Sequence, residues 1–185
     1  MIPKLMRLGV ETILKIICEK IIINNIEIVY KNVKLKRITD ELYIKAESII
    51  YNKIYISNIN IYIKDLALKL AFNKKSFIDN CFAVIHMRLT KDNVNKTLFN
   101  NKWKKLRTSI ESFITYSFQS IEIDNKLIFF IPSDAKINKN IDFTLEYNKN
   151  SISLVNNINK EKLTVLNDNN IIIDNLLLYK SNIQL

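Results

Sequence analysis

The stretch LTKDNVNKTLFNNKWKKLRTSIESF, Leu89 to Phe113, marks a change from strand-like to helix-like sequence. Thr90 is a good helix N-cap, and Asp92 follows in the first turn, where a negative charge is favourable. Asn100 and Asn101 predict a break, after which apolar residues recur at helical spacing. The stretch therefore predicts a central helical segment over about residues 91–118, interrupted near its middle.

On both sides of this segment, apolar residues alternate with polar ones. In the run IDFTLEY, for example, Phe143, Leu145 and Tyr147 alternate with polar neighbours. Such alternation is typical of antiparallel strands with one packed face and one wet face. We predict strands over about residues 25–89 and 120–180. The fold class is α+β, a single domain of residues 1–185 in which a curved antiparallel sheet wraps two long amphipathic helices, one N-terminal and one central.

The N-terminal sequence predicts the first of these helices, over about residues 3–22. Arg7, Glu11, Lys15 and Glu19 recur every four residues, which places charges of alternating sign in one stripe. The rest of the helix is broadly apolar, so it could pack on a core or insert into a membrane interface. The charges interrupt the apolar run, and we therefore expect neither a signal peptide nor a spanning helix.

The charge of the chain is unevenly distributed. Residues 1–110 contain 21 Lys and Arg against 9 Asp and Glu, whereas residues 111–185 contain 7 against 9. The abundance of Ile (34), Asn (25) and Lys (24) indicates an AT-rich genome, which raises the lysine content whatever the function. The overall charge of +10 is therefore weak evidence for an acidic partner. Its asymmetry is better evidence, because codon bias acts on the whole chain. An electropositive region indicates an acidic partner, such as a phospholipid headgroup or nucleic acid. A solvated surface is the plain alternative.

Residue types needed for common chemistry are scarce. The single glycine, Gly9, excludes phosphate loops and other glycine-rich motifs, and the single histidine, His86, lies in a strand-like run. Cys18 and Cys81 have apolar neighbours and predict reduced core thiols, although a disulfide between them stays open. We expect a cytoplasmic protein, peripheral to a membrane at most, that is not an enzyme and has no cofactor and no metal.

Four cations lie close in sequence to the single tryptophan, Trp103. They are the candidate contact with an anionic surface: Lys102, Lys104, Lys105 and Arg107. The helical spacing places Trp103 with the core set and the lysines away from it. That arrangement disfavours a base-stacking platform for nucleic acid, which requires exposed aromatic rings beside the charges.

The runs YNKIYISNINIYIKDLAL and RLTKDNVNKTLFN resemble a family of bacterial domains from cyanobacteria and actinobacteria that includes the mycobacterial lipid-binding protein LmeA. Lys53, Asn93 and Val94 replace the glycine, aspartate and leucine of the family pattern. The matched motif positions are Tyr51, Ile54, Leu89, Thr90, Asn93, Val94 and Asn95.

The resemblance implies a sheet curled around helices, with an apolar interior that holds lipid acyl chains, as in tubular lipid-binding domains. The leading hypothesis is therefore a non-catalytic protein that binds phospholipid or another amphiphile in a cavity and meets an anionic membrane through its basic face. The second hypothesis is a soluble interaction or structural module without a lipid ligand. Nucleic-acid binding is third, and the sequence leaves the oligomeric state open.

Overall fold

The computed structural model describes residues 2–29, 41–64, 82–124, 126–137, 141–179 and 182–184. Strands predicted within residues 30–40 and 65–81, and the predicted core thiol of Cys81, lie outside these ranges. The chain divides into two compact units, a finer division than the single domain expected from its length. The first comprises Met1–Asn52 and Ile56–Met87, and the second Lys53–Tyr55 and Arg88–Leu185.

The described residues of the first unit form a helix followed by antiparallel strands. Its elements are α1 (Ile2–Ile17), β1 (Lys20–Val29), β2 (Glu41–Tyr51), β3 (Ile54–Lys64) and β4 (Phe82–Thr90), with strand order β1-β2-β3-β4. The helix ends five residues before the predicted end at residue 22. The β-branched run Ile21–Ile23 belongs to β1, where pairing with β2 replaces the helical hydrogen bonds. The Glu19 N–H donates to the Ile50 carbonyl at 2.8 Å and fixes this transition.

The core of the first unit includes Ile26, Leu42 and Ile44, against which Val10 and Leu14 of α1 pack. Val10 and Leu14 are four residues apart and form a narrow stripe along the helix. Among the α1 side chains that the structure describes, only part of the apolar side therefore covers the sheet.

A bulge in β2 corrects the predicted alternation of that strand. The sequence predicts that Ala46, Ser48 and Ile50 share one face, but Ala46 and Ile49 are the buried residues. Ser48 lies between them with a φ of 51°, and the pairing with β1 shifts register at this point. An extra residue in one strand reverses the side on which later residues point.

The turn between β2 and β3 consists of Asn52 and Lys53, with φ values of 53° and 63°. Two left-handed residues in succession are typical of a tight hairpin turn, in which glycine is favoured at the second position. We expect Lys53→Gly to raise the free energy of unfolding by about 1 kcal/mol, because glycine adopts this conformation without steric cost. Urea denaturation would measure the gain. Asn52→Gly is the control, with a smaller gain because asparagine tolerates the left-handed region, and equal effects of the two would contradict the explanation.

The second unit contains two short helices and two groups of antiparallel strands. The helical elements are α2 (Lys91–Leu98), a 3₁₀ turn (Asn101–Trp103) and α3 (Lys104–Ile114). One sheet has the order β5-β6-β7-β8-β9, formed by β5 (Phe118–Asp124), β6 (Leu127–Pro132), β7 (Asp142–Asn148), β8 (Ser151–Asn156) and β9 (Lys162–Asn167). The Arg88–Thr90 end of β4 pairs with β11 (Asn182–Gln184), which pairs with β10 (Leu177–Tyr179).

Three predictions about this part of the chain are corrected. Two antiparallel sheets are present, and the prediction of one sheet wrapped around two long helices is not confirmed, since α3 has 11 residues and α2 has 8. The predicted helix to residue 118 ends at Ile114, because Thr115 adopts a left-handed φ of 68°. The run NIIIDN at 170–175, predicted as strand, has no regular secondary structure.

Aromatic side chains fill the core of the second unit. Phe130 contacts Phe118 and Phe143 edge to face, with ring centroids 5.0 and 5.2 Å apart. The apolar face predicted for the central segment is confirmed, since Ile110 and Ile114 are buried against this cluster. The core therefore lies between the helices and the five-stranded sheet, and the opposite face of α3 is exposed.

Candidate functional site

An exposed apolar strip lies on α1, in the first unit. Ile13, Ile16 and Ile17 have exposed fractions of 59%, 75% and 52%. At about 100° per residue they fall within an arc of about 100° beside the stripe of Val10 and Leu14. We call these three isoleucines the α1 strip. Isoleucine side chains left this open to water carry a free-energy cost that a contacting apolar surface would remove.

Cations lie across the helix from the α1 strip. Lys4, Arg7 and Lys15 are exposed, and Glu11 is the one acidic residue in the sequence of α1. Lys15 Nζ donates to Glu11 Oε1 at 2.6 Å, and this bond, with the charge of Lys15, lowers the pKa of Glu11. Glu11 therefore stays ionised at neutral pH, and the pair is lost only as the pH falls through the lowered pKa.

Cys18 follows α1 directly. It is a free thiol that is half-buried, whereas the sequence predicts a core thiol, and burial raises its pKa. A raised pKa keeps the thiol protonated at neutral pH, which disfavours a role as a nucleophile.

The predicted basic cluster, in the second unit, is only partly brought together. Lys102, Lys104 and Lys105 line an open depression of about 630 Å³ that also includes Asn101, Thr108 and Ser109. We call this the lysine depression. Its six lining residues include no carboxylate. The exposed lysines confirm the face that the helical spacing predicted for Lys104 and Lys105.

Arg107, the fourth predicted cation, is not among the residues that line the depression. Its guanidinium carbon lies 5.2 Å from the centre of the Phe99 ring, a cation–π distance. Trp103 is half-buried, so it stands between the lysines without forming an open stacking platform. Arg107 is thus a partner of Phe99 as much as a surface cation.

The motif residues carried by the family resemblance have structural contacts. Thr90 caps α2, since its hydroxyl accepts from the Asn93 N–H at 3.2 Å, and the Thr90 N–H donates to Asn93 Oδ1 at 3.1 Å. This reciprocal pair is a capping box with asparagine in the usual glutamate position. Val94 and Leu98 pack towards the aromatic core. Tyr51 is exposed, whereas Ile54 and Leu89 are half-buried in their strands.

Asn95 joins α2 to β5. Its amide donates to the Ile121 carbonyl at 3.2 Å, and its Oδ1 accepts from the Ile121 N–H at 2.8 Å. The side chain thereby satisfies both backbone groups that an edge strand leaves unpaired at this residue. The spacing along the chain carries no signal for a contact 26 residues away, so the sequence alone did not indicate it.

Within the ranges that the structure describes, no group of three or more His, Cys, Asp or Glu side chains could hold a metal ion. No helix among the same residues is both long and apolar enough to cross a bilayer.

Comparisons of the chain with protein-family models, curated proteins and solved structures found no match. The resemblance to the bacterial lipid-binding family therefore stays a prediction.

Proposed function

We propose that this protein binds the surface of anionic phospholipid membranes, without catalysing a reaction, and that α1 is the segment that enters the lipid interface. The observation that carries the proposal is the α1 strip, in which Ile13, Ile16 and Ile17 are each more than half exposed. A helix with an open apolar side and a basic opposite side is typical of interfacial helices.

Charge favours an anionic lipid over a neutral one. The sequence of α1 has three cations and one carboxylate, and Lys20 follows at the start of β1. Each basic residue near an anionic membrane contributes roughly 1 kcal/mol of attraction. The long stems of Lys4 and Lys15 allow their ammonium groups to reach phosphates while the strip is buried. The family resemblance also predicts an internal cavity that holds an acyl chain. That prediction goes further than the present proposal, which concerns only the membrane surface.

The proposal is tested by replacing the strip. Burial of three half-exposed isoleucines contributes about 3 kcal/mol in total, so Ile13→Ser/Ile16→Ser/Ile17→Ser should weaken binding to phosphatidylglycerol-containing vesicles on the order of a hundredfold. Vesicle co-sedimentation measures the change, and circular dichroism checks that the variant is folded.

A matched control uses isoleucines that are exposed elsewhere. Ile158→Ser/Ile171→Ser/Ile172→Ser removes the same number of exposed isoleucines from the second unit. This variant should bind vesicles as the unchanged protein does. Equal loss in both triple variants, or no binding by the unchanged protein, would overturn the proposal. The α1 strip would then favour the interaction-module hypothesis, in which a protein surface covers it.

A second prediction concerns the single carboxylate of α1. Glu11→Gln removes the negative charge that repels an anionic surface, and we expect it to strengthen binding to anionic vesicles about fivefold at low salt. Salt titration of the co-sedimentation assay measures the effect, which should shrink as the salt concentration rises. Glu27→Gln, an exposed carboxylate on β1, is the control. An equal gain from both variants would assign the effect to net charge alone.

A further inference from the structure

We infer that the lysine depression binds a phosphomonoester group. Lys102, Lys104 and Lys105 line one open concavity, and none of its six lining residues is acidic. Lysines form half of the lining, and the exposed Lys104 and Lys105 give it a positive charge that attracts a multivalent anion. The inference does not depend on α1, because every lining residue belongs to the second unit.

The positively charged donors favour a phosphomonoester over a phosphodiester. A phosphomonoester carries close to two negative charges at neutral pH and presents three terminal oxygens, whereas a phosphodiester carries one charge. Lysine binds phosphate as a flexible point charge, and the exposed Lys104 and Lys105 can approach different oxygens. The depression is open to solvent, so the group that bears the phosphate can extend out of it.

Neutral donors complete the lining. The hydroxyl of Thr108 and the amide of Asn101 can donate to phosphate oxygens. Ser109 has a different role, because its hydroxyl donates to the Lys105 carbonyl at 3.0 Å and therefore forms part of the wall. The first turn of α3 has no acidic residue, so the partial positive charge of the helix end adds to that of the lysines.

Such a phosphate could belong to a lipid headgroup, as in phosphatidate, or to a free metabolite. The two sources share one recognition chemistry and are separated by experiment. Glycerol 3-phosphate is the soluble probe, titrated by calorimetry and by the fluorescence of Trp103, which stands between two of the lysines. Vesicles containing phosphatidate are the lipid probe, compared with phosphatidylglycerol vesicles of matched surface charge.

We expect saturable binding of glycerol 3-phosphate, a preference for phosphatidate, or both. Lys104→Gln/Lys105→Gln should weaken the phosphomonoester interaction about tenfold or more, since two of the three charges are lost. Lys136→Gln/Lys149→Gln changes the same charge at exposed positions elsewhere in the second unit and should have little effect.

Binding of the soluble probe alone would identify a free phosphomonoester, and a vesicle preference alone would identify the lipid headgroup. The inference is overturned if neither is observed, or if both lysine pairs have equal effects. Failure of the membrane proposal is distinguishable, because the triple serine variant of the α1 strip should weaken binding to phosphatidylglycerol vesicles and retain the response to glycerol 3-phosphate.

Discussion

Phe143→Ala should lower the free energy of unfolding by about 3–5 kcal/mol, which is a large share of the stability of a small domain. Phe143 is 0% exposed and lies at the centre of the second unit's core. Its ring contacts Phe130 edge to face at 5.2 Å and Phe113 at 6.0 Å. Removal of the ring leaves a cavity and also removes two aromatic contacts.

Urea denaturation followed by Trp103 fluorescence measures this loss within the second unit. Phe143→Leu keeps much of the volume and should cost about 1–2 kcal/mol. Tyr147→Ala lies on the same strand at an exposed position, and we expect a loss of at most about 1 kcal/mol there. A loss at Phe143 no greater than at Tyr147 would mean that this core is not the main source of stability.

Asn95→Ala should lower the free energy of unfolding by about 2–4 kcal/mol. The substitution leaves both the N–H and the carbonyl of Ile121 without their side-chain partner in a part-buried position. Each backbone group deprived of its hydrogen bond there costs about 1–2 kcal/mol. Asn95→Asp retains the acceptor but loses the donor, and its carboxylate faces the Ile121 carbonyl, so we do not expect it to rescue stability.

The control for Asn95 is an ion pair that joins the same two elements. Lys91 Nζ lies 3.0 Å from Glu122 Oε2, and both side chains are partly open to solvent. Lys91→Gln should therefore cost less than about 1 kcal/mol. Thermal unfolding of the two variants side by side provides the comparison. Equal losses would show that the Asn95 amide does not hold β5 against α2.

Local sequence patterns predicted the secondary structure where the signal was short-range. The N-cap at Thr90, the break at Asn100 and the apolar face of α3 each depend on neighbours within one or two helical turns. The end of α1 and the bulge at Ser48 could not be predicted in this way. Both depend on the pairing of β1 with β2, two strands that are not contiguous along the chain.

In the candidate sites, too, some features follow from local spacing and others do not. Helical spacing alone placed Lys104 and Lys105 on the exposed face of α3. It could not place Arg107 over Phe99, since that contact requires the chain to turn back on itself between α2 and α3. Spacing also predicted a broad apolar side of α1, but not which part of it stays open.

The sequence by itself determined the α+β class, the amphipathic character of both helical regions and the excess of cations in residues 1–110, because periodicity and charge are properties of neighbouring residues. The tertiary structure alone decided which isoleucines of α1 remain exposed and that Asn95 pairs with Ile121. These features depend on contacts between distant residues, whose energies are summed over the whole fold and leave no local mark in the sequence.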